Sequence, residues 1–191
     1  PVVPAEVSLW VYCIKDQNQQ TKGIKDGASF SLKRGDLEHV WSTGLACPEK
    51  SGSHAQTLAI FNTYNTLLNN KAMTLQDHCM RTWFYVKDVD SNYAGLVKGR
   101  NEVFTKYNLT PKTHYIASTG IQGSYADNNV LVMMDAYAIK GIQPGQIRQL
   151  QALDHLSHTH VYGVAFERAT SVAYRDRKHI IISGTASIDA N

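Results

Sequence analysis

Hydrophobic and polar positions change period several times along this chain, and the clearest change lies between Cys79 and Tyr107. From Cys79 to Lys87 the β-branched and aromatic residues Thr82, Trp83, Phe84, Tyr85 and Val86 predict a strand packed on both faces. A strand period of two puts Cys79, Arg81, Trp83 and Tyr85 on one face and Met80, Thr82, Phe84 and Val86 on the other. The run DVDS at 88–91 offers N-cap chemistry, and Tyr93, Leu96, Val97, Val103, Phe104 and Tyr107, joined by the stem of Arg100, mark one helical face. That helix is expected to cover the Met80/Phe84 face. The face carrying Arg81, Trp83 and Tyr85 must then meet a partner subunit or a ligand.

The flanking segments read as follows. VSLWVYCI at 7–14 predicts a strand, KDQNQQTKGIKDG a long hairpin or surface loop turning at Gly23 and Gly27, and ASFSLKRGDLEHVWSTG two short strands. Those two turn at Arg34, Gly35 and Asp36, and the second ends at Thr43 and Gly44. Ser53 with Gln56 predicts a capping box opening a helix over 53–70. Beyond Pro111, HYIAS predicts a strand ending in a loop punctuated by Gly120 and Gly123. VLVMMDAYAI at 130–139 predicts a strand with Leu131, Met133, Asp135 and Tyr137 on the face away from the helices.

Residues 141–160, with Pro144, Gly145 and three histidines at 155, 158 and 160, form a linker by composition. Those histidines, which could converge on an ion, read as loop residues of a connector rather than metal ligands. The segment from 161 carries two strands joined at Arg175, Asp176 and Arg177, and DRKHIIISGTASID from Asp176 repeats DLEHVWSTGLACPE from Asp36. The expected organisation is one domain over 1–140, a linker over 141–160, and the start of a second, incomplete unit over 161–191. Two strands alone are marginal in water, so this hairpin is expected to extend the sheet of the first unit or of a neighbour and to bring Phe166, Arg168 and Ser183 towards the cleft.

Composition narrows the picture modestly. With 191 residues, 43% hydrophobic, the chain can bury a sizeable core, and its 19 Lys and Arg are scattered in runs no longer than two around a net charge of +3, which excludes a basic nucleic-acid stripe. Cys13, Cys47 and Cys79 lie far apart without CxxC spacing, which points to reduced thiols in a cytoplasmic compartment and away from a disulfide scaffold or a zinc site. No apolar run approaches membrane length. The chain begins at Pro1 rather than Met, which leaves room for an upstream piece.

Taken in order, these elements resemble the RidA/YjgF (endoribonuclease L-PSP-like) superfamily. The match runs over Asp36 to Ile139, with a partial second match in FERAT at 166–170 and HIIISGTASID at 179–189. The RTWFY strand and the doubled unit are more similar to its two-unit, chorismatase-like branch. The resemblance implies an α+β, chorismate-mutase-like fold, a mixed sheet with two helices on one face, assembled as a homotrimer or pseudo-trimer. It also implies a metal-independent hydrolase or deaminase, without cofactor, acting on a small carboxylate-bearing metabolite of enamine/imine or chorismate-like type, with no nucleic-acid or membrane partner. The alternative is a non-catalytic metabolite-binding or assembly module.

Residue by residue, the family's acid corresponds to Asp135, one methylene shorter, as the catalytic candidate. Its substrate-carboxylate arginine is replaced by Thr113, its cysteine by Tyr115 and its helical asparagine by Val97. Arg81, beside Trp83, and Arg168, beside Phe166, are the available cations. Thr43 with Gly44, Thr119 with Gly120, and Ser183 with Gly184 can present hydroxyls and backbone N–H groups to an anion. Asp135 would orient or deprotonate a water while an arginine holds the carboxylate. Two structural readings stay open: Arg81 salt-bridged to Asp135 or with its stem packed on Trp83, and Asp135 paired across a subunit interface.

Overall fold

The computed structural model describes residues 11–184 except Gln19 and Pro144. Half of the strand expected over 7–14 lies outside the described residues. Val11 to Ile14, within them, are exposed and irregular. The chain continues through β1 (Lys22–Asp26), β2 (Ser29–Arg34), β3 (Leu37–Ala46), α1 (Ser53–Asn69), a single turn α2 (Leu75–His78), β4 (Cys79–Val86), α3 (Val89–Lys106), β5 (Ala117–Gln122) and β6 (Val132–Lys140). Beyond these come β7 (Ile147–Leu150), β8 (Ala169–Ala173) and β9 (Lys178–Ile182).

Six strands form a mixed sheet in the order β1-β2-β3-β6-β4-β5, antiparallel throughout except for the parallel β4–β5 pair. Alternation along β6 turns Val132, Met134, Ala136 and Ala138 towards α1 and α3, where they meet Ile60, Phe61, Tyr64, Leu96 and Phe104. The two helices approach closely because α3 presents glycines to α1. A Cβ on Gly95 would lie 2.1 Å from Ser53 Oγ.

Several local expectations need correction. Of the two readings of the segment before β2 the hairpin forms, with KGIKD as β1 pairing along β2 across a turn at Gly27, but Gly23 lies within β1 rather than in a turn. The capping box does not form. Gly52 holds the N-cap position of α1 at φ 84, and the Gln56 side chain instead donates to Lys50 O and Asn129 O and accepts from the Leu131 N–H, tying α1 to the start of β6. Asp88 likewise caps α3 without a side-chain bond to the helix backbone, at φ 46. A bulge between Ser42 and Leu45 carries β3 past Gly44 to Ala46. A second bulge between Cys79 and Arg81 inverts the start of β4, so Cys79 enters the core while Met80 turns to the outer face. β5 starts at Ala117 and runs through the stretch expected to be a glycine loop.

The expected linker over 141–160 supplies β7, which pairs with β8 in a separate sheet ordered β7-β8-β9. The terminal hairpin therefore does not extend the six-stranded sheet. It stacks on its outer face, where Met80, Tyr137 and Ile139 cluster with Val172, and Trp41, Trp83, Ile147, Tyr174 and Ile181 pack against them. The two sheets touch edgewise at one parallel bridge, Ala117 with Glu167.

Candidate functional site

The strand alternation of β4 beyond its bulge sets Arg81, Trp83 and Tyr85 on the outer face, and that face builds the candidate site. Arg81 is only 4% exposed. Its Nη1 donates to Ser183 Oγ at 3.1 Å, its Nη2 donates to Thr119 Oγ1, and its guanidinium lies 5.0 Å from the centre of the Trp83 ring. Nε is buried without a hydrogen-bond partner, and among the described residues no carboxylate lies within ion-pair distance of this cation. Burial pushes its pKa down to about 10. A buried guanidinium held by hydroxyls alone is a costly arrangement, since neither partner offsets the charge.

The hydroxyls around it are themselves fixed. Ser183 Oγ also accepts from the Ser118 N–H at 2.9 Å and donates to Glu167 O at 2.6 Å, so one side chain joins β4, β5 and the strand pair β8–β9. Thr119 Oγ1 accepts from both Arg81 and the Gly184 N–H, the latter at 2.7 Å. With two donors already aimed at that oxygen, the threonine proton points elsewhere and is available to an acceptor. Gly184 must lack a side chain, because a Cβ there would stand 2.7 Å from Thr119 Cγ2.

Asp135 sits on β6, half-buried. Its Oδ1 accepts from the Gly44 N–H at 2.7 Å, delivered by the β3 bulge where Gly44 adopts φ 66, and the Tyr85 hydroxyl lies near the same carboxylate and favours its charged form. Burial pushes the carboxyl above its ordinary range, and these two groups oppose that shift. The β4–β6 register sets Trp83 opposite Asp135 and Arg81 opposite Tyr137. Arg81 and Asp135 are thus diagonal neighbours flanking Trp83, about 7–8 Å apart at Cα. They form no salt bridge, which removes one of the two structural readings of Arg81. The contact with Trp83 is made by its guanidinium.

The other expected site residues separate. Thr113 closes a turn, its hydroxyl accepting from the Thr110 N–H and donating to Asn108 O. Together with Tyr115, Phe166 and Arg168 it lines a small cavity of about 50 Å³ beside the 151–160 segment, where Arg168 Nη2 donates to Ser157 O at 3.0 Å and the guanidinium lies over Phe166. Gly120 faces α3, where a Cβ would meet Tyr93 at 2.8 Å, so its role is packing. Thr43 is exposed at the bulge.

Sequence reasoning did not single out Glu167 as a site residue, although it stands between Phe166 and Arg168 in FERAT. It is buried, accepts from the Tyr115 N–H at 2.9 Å, and burial pushes its carboxyl upward against that bond and the nearby His114. Tyr85, placed on the correct face, was not counted in the site. Among the described residues no group of three or more His, Cys, Asp or Glu is arranged to hold a metal ion, and no helix is long and apolar enough to cross a membrane.

The architecture, a mixed sheet with two helices on one face, is shared with a solved chorismatase. That chorismatase superposes with a TM-score of 0.59 at 21% identity, covering 87% of this chain and 50% of that one. This chain therefore spans half the length of that protein. Weaker likenesses run to a YjgF-family member from Neisseria meningitidis (TM-score 0.47, 14% identity, 58% of this chain and 84% of that chain) and to the YjgF gene product of E. coli (0.46, 16%, 57% and 84%). No family model matches the sequence, and no curated protein matches it.

Proposed function

We propose that the protein binds a small carboxylate-bearing metabolite at the Arg81 corner and acts on it as a metal-independent hydrolase or deaminase of the RidA/YjgF type, with an enamine, imine or chorismate-like substrate. One observation carries the reading: a buried arginine, its Nε unpartnered, surrounded by hydroxyls and an aromatic ring. A ligand carboxylate supplies the missing counter-charge, accepts the spare Thr119 proton and keeps the ligand body against Trp83. The diagonal spacing then puts Asp135 about one small molecule away from the carboxylate. Its raised pKa, with Tyr85 and the Gly44 N–H fixing its orientation, suits it to align a water and take its proton. For an imine the water oxygen bonds the carbon as the C=N pair moves to nitrogen, Asp135 passes the water's proton to that nitrogen, and transfer of the second proton breaks the C–N bond to leave a carbonyl and ammonia.

The half-exposed Trp83, Tyr85 and Met133 leave an apolar strip beyond the second sheet, which favours a homo-oligomer, trimeric or pseudo-trimeric. The free thiols favour a reducing, cytoplasmic setting. The test is turnover of 2-aminoacrylate generated in situ and of chorismate by purified protein, beside thermal shifts with small carboxylic acids. Turnover above the no-protein rate supports catalysis. Stabilisation without turnover favours the binding module, and neither effect overturns the proposal.

A further inference from the structure

A second cleft, sharing no residue with the Arg81 corner, opens over the outer face near the β2–β3 turn, with a volume of about 350 Å³. One side is a run of nearly parallel rings. Trp41 and Tyr137 lie 5.1 Å apart at 21°, and His39 and Tyr137 lie 6.1 Å apart at 5°, with His39 Nδ1 hydrogen-bonded to the Tyr137 hydroxyl at 2.7 Å. Around them stand three cations from separate elements: Lys15 before β1, Arg34 at the end of β2, and Arg177 in the β8–β9 turn. Asp176 engages Arg177 at 2.9 Å, and Asp16, whose carboxylate is occupied by Thr21, feels the charge of Arg34. Among the described residues neither Lys15 nor Arg34 has a carboxylate within ion-pair distance.

We infer that this cleft binds a small planar anion, a ring bearing a carboxylate or a phosphate, with the ring against Trp41 and Tyr137 and the anionic group towards Arg34 and Arg177. Flat walls select a flat body, and three cations in one lining, two of them with no carboxylate within ion-pair distance among the described residues, select a negative head. The two histidines of the cleft agree with this. His39 is held below its ordinary pKa first by burial and then by His179 and Arg177, and His179 first by burial and then by Arg177. A bound anion opposes the Arg177 contribution, the smaller part of each shift beside burial, so binding should tighten as pH falls.

The inference stands or falls separately from the function proposed above. Calorimetric titration with 4-hydroxybenzoate, adenosine monophosphate and neutral benzyl alcohol tests it. The exposed Cys13, in the lining of the cleft, provides a second readout through its rate of alkylation. Saturable binding of one of the two anions is expected, and the one that binds tells a carboxylate from a phosphate source. Benzyl alcohol should bind at least tenfold more weakly. Arg34→Gln and Arg177→Gln, both surface changes, should each weaken the anion about three- to tenfold, as expected for exposed, partly screened cations. The anion should also slow Cys13 alkylation and bind more tightly at lower pH. Absence of saturation by either anion, equal binding of the alcohol, or wild-type affinity in both variants would overturn the inference.

Discussion

Replacing Ser183 by alanine removes the side chain that ties the two sheets together, and the geometry sets the size of the effect. Its Oγ accepts from Arg81 Nη1 at 3.1 Å and from the Ser118 N–H at 2.9 Å, and donates to Glu167 O at 2.6 Å, all in buried surroundings. The bond to the guanidinium is charge-assisted and worth about 1.5–3 kcal/mol, and each neutral bond is worth about 1 kcal/mol. Because all three partners are left buried, relaxation recovers little, and the total loss should be about 3–5 kcal/mol. For a chain of this size that lowers Tm by about 10 °C. Ser29→Ala serves as the control, since Ser29 makes one neutral buried bond, to Ser42 at 2.8 Å, and should cost about 1 kcal/mol. Urea denaturation of both variants, with the m-value unchanged, measures the difference. A Ser183→Ala variant no less stable than Ser29→Ala would refute the claim that this hydroxyl anchors the corner.

Arg100 is 1% exposed, with Nε and Nη2 unpartnered, so Arg100→Met should be neutral or stabilising by about 1–4 kcal/mol, and clear destabilisation in urea would contradict the view that its charge is an uncompensated burden. Gly184→Ala forces a Cβ to within 2.7 Å of Thr119 Cγ2 and should weaken carboxylate binding while leaving most of the fold stable, as read by thermal shift with and without ligand. Burial raises the Asp135 carboxyl pKa in the folded state, so its charged form opposes folding. Asp135→Asn should therefore gain stability relative to wild type at neutral pH, with the gain fading as pH falls through the raised folded pKa towards the unfolded value, and a gain that grows on acidification would contradict the direction of the shift. Cys79 is buried, its thiol pushed up to about 12, so native alkylation should modify Cys13 and spare Cys79 and Cys47 until the chain unfolds.

The sequence carried the fold wherever one period ran unbroken. The alternation through β6 placed Asp135 on the correct face, and the α1 and α3 patterns located both helices. Bulges broke the reading, because one extra residue reverses every side chain beyond it and has no signature in hydropathy. Simple alternation therefore puts Met80 on the helix side and stops β3 at Gly44, where the bulged strands do neither. Polar edge strands hid for another reason. KGIKD is exposed at every position, so burial left no pattern to find, and β7 lies in a stretch whose histidines, glycine and proline suggest a linker. In the candidate site Arg81, Trp83 and Asp135 are legible from strand alternation, and Thr119 and Ser183 from hydroxyls set beside glycines. Their separation from Thr113, Tyr115, Phe166 and Arg168 was not, since it depends on the second sheet stacking on the first rather than extending it. The same stacking brings Glu167 into the 50 Å³ cavity, a position that one-dimensional spacing does not encode.

The most direct measurement of the central claim is calorimetric titration of pyruvate, a stable small 2-oxo acid, into wild type, Arg81→Lys and Thr119→Val, with each variant's fold checked by circular dichroism. The account predicts saturable one-site binding to wild type, weakened at least tenfold in Arg81→Lys, which loses the forked donor geometry, and to a lesser extent in Thr119→Val. Equal affinity in folded Arg81→Lys and wild type, or no binding of pyruvate or any other small carboxylate to wild type, would contradict it.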